Sequence, residues 1–193
     1  MKKLHAFFIV PALIAGAATL RAQETTYAVD PVHSVVLAEV MHFSASHVWV
    51  RFDGPNGTVT INDADPSKNS FSFEAKAESL NSAVEKRDQD LKGPDLLNVK
   101  EFPTITFKST GMKKTGDKTY EASGNLTLHG VTKPVTARVT YVGTGKGMKG
   151  ETRSGADATF NIKRSDFGIG PNFPPAVISD EVNLQVSVEA IKK

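Results

Sequence analysis

Apolar and polar side chains alternate residue by residue through most of this chain. The cleanest case lies near its end, where Val182, Leu184, Val186, Val188 and Ala190 interleave with Asn183, Gln185, Ser187 and Glu189. Strict alternation puts the two sets on opposite faces of an extended strand, one buried and one wet. The same rhythm marks residues 35–41, 48–52, 58–61, 70–77, 104–109, 120–128, 135–142 and 156–162. So many half-apolar strands must cover one another, as in a sandwich or a closed barrel. The connections are short, and turn formers fill several, such as Asp53-Gly54-Pro55-Asn56-Gly57. That favours antiparallel pairing over a parallel α/β sheet.

One segment breaks the period. Residues 80–98 are rich in helix formers, with Asn81 or Ser82 as candidate N-caps and Gly93-Pro94 as the stop. This excursion is too helical for a hairpin loop and too short for a domain, and it predicts a lid or plug across one end of the β-structure. A second irregular stretch, 167–175, is apolar and rich in Gly and Pro, the composition of a loop folded over a barrel mouth.

Residues 1–22 have the layout of a secretory signal peptide. Lys2 and Lys3 precede an apolar run interrupted by Pro11 and Gly16, and Arg21-Ala22 leads into polar Gln23-Glu24-Thr25. Cleavage is expected after Ala22, leaving 23–193 as one exported domain in the periplasm or outside the cell. The leader carries three of the 23 basic residues and none of the 21 acidic ones, so its loss leaves the domain near −1. No basic footprint for nucleic acid remains. Cysteine is absent, which removes disulfides and thiol chemistry and leaves the fold to its own packing. Charges in mid-strand, such as Glu39, Glu74, Lys76 and Arg138, suit water on the outer face and argue against insertion as a membrane barrel.

The inward sets include Val36, Ala38 and Val40 on one strand, Phe71 and Phe73 on another, and Ile105 with Phe107 on a third. Leu126, Leu128, Phe160 and Ile162 extend the list. Such residues either fill a small barrel with a dry core or line a cavity. The four histidines outside the leader, His33, His42, His47 and His129, have no compact metal-site spacing. His33 and His129 suit structural hydrogen bonds at strand or turn ends, and His42 is the candidate for touching the polar end of a ligand. No nucleophile elbow is present, so no catalytic residue is assigned and no metal or other cofactor is expected. Arg87-Asp88 and Arg164-Ser165-Asp166 read as ion pairs fixing the helix and the late loop.

Several segments together resemble the YceI-like family of exported polyisoprenoid-binding proteins. They are Asp30-x-x-His33-Ser34, Arg87-Asp88 ahead of Leu91, residues 101–109, Leu126-Thr127-Leu128-His129-Gly130-Val131-Thr132-Lys133-Pro134-Val135, Arg164-Ser165-Asp166-Phe167-Gly168-Ile169, and Ser179-Asp180-Glu181 with the final strand. The resemblance implies an antiparallel, lipocalin-like barrel of about eight strands around an apolar tunnel, with the helical excursion at 80–98. It also implies a long isoprenoid chain, a quinone tail or a similar amphipathic lipid as cargo, sequestered or transported without catalysis. On that basis Phe52, Leu91, Leu96, Leu97, Phe167 and Ile169 join the inward residues and His42 as candidate ligand contacts. The polar head is expected near a mouth formed by 167–175 or 80–98.

The chain departs from the family's pattern at three places: Val50 where Gly is usual, Leu96-Leu97 where an aromatic pair is usual, and Asp90 where His is usual. The alternative is a periplasmic interaction or stress-related protein with a packed barrel and no cargo. A homodimer through an edge or an exposed strand face is compatible with either.

Overall fold

The strands of this protein pair antiparallel into one sheet whose last strand returns to the first. The computed structural model describes residues 24–62 and 64–193, so the expected leader lies outside it. The strands are β1 (Glu24–Val29), β2 (Val35–His42), β3 (Ser46–Asp53), β4 (Asn56–Asn62), β5 (Ser70–Lys76) and the two-residue β6 (Leu80–Asn81). After helix α1 (Glu85–Lys92) come β7 (Thr104–Lys114), β8 (Thr119–Leu128), β9 (Val131–Lys146), β10 (Thr152–Lys163) and β11 (Ile178–Lys192). All pairings are antiparallel.

The eleven segments form eight staves. β11 pairs along one edge with β10, and along the other with β1 at its C-terminal end and β2 further back. β1 and β2 therefore lie end to end as one stave. β3 and β4 form the next, since β3 pairs with β2 and β4 with β1. β5 and β6 form the third in the same way. The meander continues β5–β7–β8–β9–β10–β11 and closes at β1. Closure removes the exposed edges that an open sheet would present.

Two sequence expectations are corrected here. Extended structure begins at Glu24, eleven residues before the first expected strand, and this added strand closes the barrel. The cluster Asp53-Gly54-Pro55-Asn56-Gly57 does not reverse the chain; it kinks one stave between β3 and β4. Gly54 has φ +63°, Pro55 is fully buried, and a Cβ at Gly57 would lie 2.0 Å from the Ser72 carbonyl oxygen. Only glycine permits that approach to β5.

The helix is also shorter than expected. Leu80 and Asn81 belong to the sheet, and Val84 occupies the N-cap position without a side-chain cap bond. Asn81 instead accepts from the Ala83 N–H at 2.8 Å, and Ser82 donates to Asp88. Arg87 also turns to Ser82, donating to its hydroxyl and its carbonyl, so Arg87-Asp88 clamps a loop rather than forming the expected ion pair. The stop at Gly93 is as expected.

The break between β1 and β2 is bridged by polar side chains. The Asp30 N–H donates to the Glu189 carbonyl at 2.8 Å, and Ser34 both donates to that carbonyl and accepts from the Glu189 N–H. Asp30 also accepts from the Val32 N–H, His33 and Arg153 at 2.9–3.0 Å or closer. Arg153 bonds Glu151 and Glu189 as well, and so supplies the countercharge within the carboxylate group formed by Asp30 and Glu189. The His33 and Arg153 bonds hold the Asp30 carboxyl down at about 2, from an ordinary 3.8. A lowered carboxylate stabilises the fold fully above its unfolded value and loses that contribution as pH falls through the folded value. Asp30→Asn is therefore expected to lower unfolding free energy by about 2 kcal/mol near neutral pH. In denaturant titrations the difference from the parent protein should shrink below about pH 4 and vanish only below about pH 2. A constant difference across that range would disprove the role given to Asp30.

Candidate functional site: an apolar cavity through the barrel

The inward faces of the eight staves enclose a cavity of about 1070 Å³. Ordinary small-molecule sites span roughly 300–1,000 Å³. The wall is predominantly aliphatic and aromatic and draws on every stave. On β11 it includes Val182, Leu184, Val186, Val188 and Ala190, the residues of the clearest alternation in the chain. Of these only Ala190 is fully buried; the others face inward yet remain half-exposed, because they look into open space rather than onto packed neighbours. The barrel interior is therefore open rather than filled by side chains, unlike the packed core of the alternative reading. With a rise of about 3.3 Å per residue and a strand tilt of 35–45°, the stretch from Val182 to Ala190 alone gives roughly 20 Å of lining along the barrel axis.

Of the candidate contacts, Val36, Ala38, Val40, His42, Phe52, Phe71, Phe73, Leu91, Leu96 and Leu97 all line the cavity. So do Ile105, Phe107, Leu126, Leu128, Phe160, Ile162 and Ile169. Phe167 does not; it is 1 % exposed and packs behind the wall in a cluster with Leu96, Leu126, Leu128, Ile162 and Ile169. Lining residues absent from that candidate set include Tyr27, Val59, Met112, Tyr120, Val139, Tyr141 and Ala158. Most were legible from the same two-residue period; Tyr27 was not, because β1 was not expected. Val50 faces inward opposite Ala38 and occupies volume that glycine would leave open.

Gly124 has a steric role in shaping the wall. A Cβ there would lie 2.3 Å from Phe107 Cζ and 2.7 Å from the Lys108 carbonyl oxygen. The Phe107 ring thus lies across the β8 backbone, where any side chain would displace it.

One end of the barrel is covered from two sides, by α1 with the turn after it and by the loop between β10 and β11. They meet where Gly170 approaches Leu96; a Cβ at Gly170 would be 2.8 Å from Leu96 Cδ2. Both excursions contribute lining residues, among them Leu91, Leu97 and Phe173, as a lid would. Buried Arg164 organises the loop. Its guanidinium donates to the carbonyls of Ile169, Gly170, Phe173, Ile178 and Ser179 at 2.5–3.2 Å. Those carbonyls, not the carboxylate of Asp166, are its partners, which revises the ion pair expected from Arg164-Ser165-Asp166. Asp180 clamps the other side of the loop by accepting from the Ser165 N–H and hydroxyl, and these bonds lower its carboxyl.

The remaining histidines are structural or peripheral. His129 and Gly130 both have positive φ and form the two-residue turn between β8 and β9. His129 Nδ1 lies 2.9 Å from the Phe167 carbonyl, tying that turn to the loop over the mouth. His33 contacts Asp30, and His47 contacts Glu39 at 3.0 Å on the outside. His42 lines the cavity at the covered end.

An up-and-down antiparallel barrel with a lidded apolar interior has a lipocalin-like architecture. Residues 27–190 match the model of the YceI-like domain, and the chain belongs to that family. Protein YceI of Salmonella newport (strain SL254) is 35 % identical over 193 residues, with both chains covered in full. Among solved structures, Burkholderia cenocepacia BcnA matches with a TM-score of 0.77 at 24 % identity, over 84 % of this chain and 99 % of that one. A polyisoprenoid-binding domain from Saccharophagus degradans, implicated in plant cell wall breakdown, matches at 0.67 and 17 % identity, over 86 % and 98 %.

Replacing Arg164 leaves five buried or half-buried carbonyls short of a donor. Arg164→Met is expected to lower unfolding free energy by about 3 kcal/mol or more. Arg164→Lys should recover little, because one ammonium lacks the planar fork that reaches several carbonyls at once. Denaturant unfolding of both variants measures this, and full rescue by lysine would show that charge alone suffices.

Proposed function

We propose that this protein is a non-catalytic carrier that holds the hydrocarbon chain of an isoprenoid or similarly long amphipathic lipid inside its barrel. The observation that carries this reading is the long cavity walled by aliphatic and aromatic side chains. The family supports it, and so does the fold shared with a domain described as polyisoprenoid-binding. Among the described residues no helix is long and apolar enough to cross a membrane. With the secretory leader expected at 1–22, the site of action is the periplasm or the cell exterior, and the role is sequestration or transfer of the lipid.

The magnitudes suit such a cargo. Each buried methylene contributes about 0.8 kcal/mol, so a five-carbon prenyl unit contributes up to about 4 kcal/mol. A few units offset the cost of association and of ordering the chain. Tail recognition of this kind is strong but weakly selective, since apolar contacts with a predominantly hydrocarbon wall do not read one methylene from the next. Val50 and the Leu96-Leu97 pair adjust the calibre of the cavity rather than its chemistry.

Native mass spectrometry of the purified protein, before and after loading with a long-chain prenyl lipid, tests the proposal. One lipid per chain is expected, and Ala158→Phe, which projects a ring from β10 into the cavity, should weaken binding at least about tenfold without unfolding the barrel. A protein that takes up no lipid, or a variant that binds unchanged, would refute the carrier reading.

A further inference from the structure

The end of the barrel away from α1 has a distinct chemistry. All three tyrosines of the chain, Tyr27, Tyr120 and Tyr141, line the cavity there, with Met112, Thr144 and Ser154. Cross-strand partners in an antiparallel ladder share a face, so register shows what stands just outside this lining. Lys114 is opposite Tyr120, and Lys192 is opposite Tyr27. Lys146 follows the lining residue Thr144 by two positions and is opposite Thr152, whose hydroxyl it bonds at 2.8 Å. Each lysine thus lies one inward step beyond the last lining residue of its strand: Met112 on β7, Thr144 on β9 and Ala190 on β11.

Three strands therefore end in an inward-face lysine at the same mouth. All three lysines are exposed, and among the described residues none is in an ion pair. The corresponding positions on β1 and β10 are the neutral Thr25 and Thr152. Of the acids at this end two are committed elsewhere, while Asp117 in the β7–β8 turn and Glu24 at the start of β1 are exposed and, among the described residues, in no ion pair. Glu121 is on the outer face opposite Lys113 and Arg138, and Glu151 is held by Arg153 at 2.8 Å. Each ammonium carries three donors, and even Lys146 keeps two to offer. Three ammonium groups outside any described ion pair, above a tyrosine collar and an apolar shaft, match an amphiphile with an anionic head and a long tail.

We infer that Lys114, Lys146 and Lys192 form a headgroup site for a phosphate-type anion, with the tail running inward past the tyrosines. This deepens the carrier proposal and rests on it. It assigns the cargo to anionic prenyl lipids rather than to neutral quinones, and it places the head at the end opposite the helical lid, where 80–98 and 167–175 had been expected to hold it. The lid then closes over the tail terminus.

The test compares a prenyl monophosphate with the prenyl alcohol of the same chain length. Equilibrium binding is measured on the parent protein and on the triple variant Lys114→Gln, Lys146→Gln, Lys192→Gln. The parent is expected to favour the phosphate by at least about tenfold, as charge-assisted hydrogen bonds would supply. The preference should fall with rising salt and disappear in the triple variant, whose affinity for the alcohol stays unchanged. Equal affinity of the parent for both lipids would overturn the headgroup site while leaving the carrier intact. A phosphate preference that survives in the triple variant would overturn the assignment to these lysines. Failure to bind either lipid would refute the carrier proposal and the headgroup site with it.

Discussion

The barrel stands or falls with β11. This fifteen-residue strand satisfies β10 along one edge and both β1 and β2 along the other, so it is where the sheet becomes a ring. A barrel with a hollow interior lacks much of the side-chain packing that holds ordinary domains together. Backbone ladders and the joints between them must carry more of the load. Closure supplies the ladders, because in the ring every described strand longer than two residues has partners on both sides.

The polar motifs are those joints. Asp30 and Ser34 bridge the break between β1 and β2 by bonding the backbone of Glu189, and the Asp30 carboxylate also accepts from Arg153 and His33. Arg164 gathers three carbonyls of the loop between β10 and β11 and two at the start of β11, and Asp180 holds the first turn of that loop. His129 ties the β8–β9 turn to the same loop through the Phe167 carbonyl. Residues that could be mistaken for a dispersed active site are instead spent on backbone geometry. The apolar wall is left free of polar side chains along most of its length, which suits it to holding hydrocarbon.

The two ends of the barrel are chemically unequal for a topological reason. The long connections, α1 with its flanking turns and the β10–β11 loop, both leave from the same end and cover it. At the other end the hairpins are short, and lysines close three inward faces. A cavity lidded at one end and flanked by lysines at the other is chemically asymmetric along its axis.

The alternation by itself determined an all-β antiparallel protein and most of the wall. Seventeen of the eighteen candidate contacts line the cavity: those on strands follow from the period of two, a local property of extended backbone, whereas Leu91, Leu96, Leu97 and Ile169 on the lid came from the family resemblance. Local pattern does not say what a strand faces across the barrel. Phe167 therefore could not be told from Ile169, although one is behind the wall and the other on it. Glu24–Val29 has too little apolar contrast to announce itself and became a strand by closing the ring. The glycines and proline at 53–57 signal a turn in any sequence, but pairing on both sides turned them into a kink. Whether inward residues pack or enclose space was also a tertiary matter, since eight tilted staves set a circumference that these side chains do not fill.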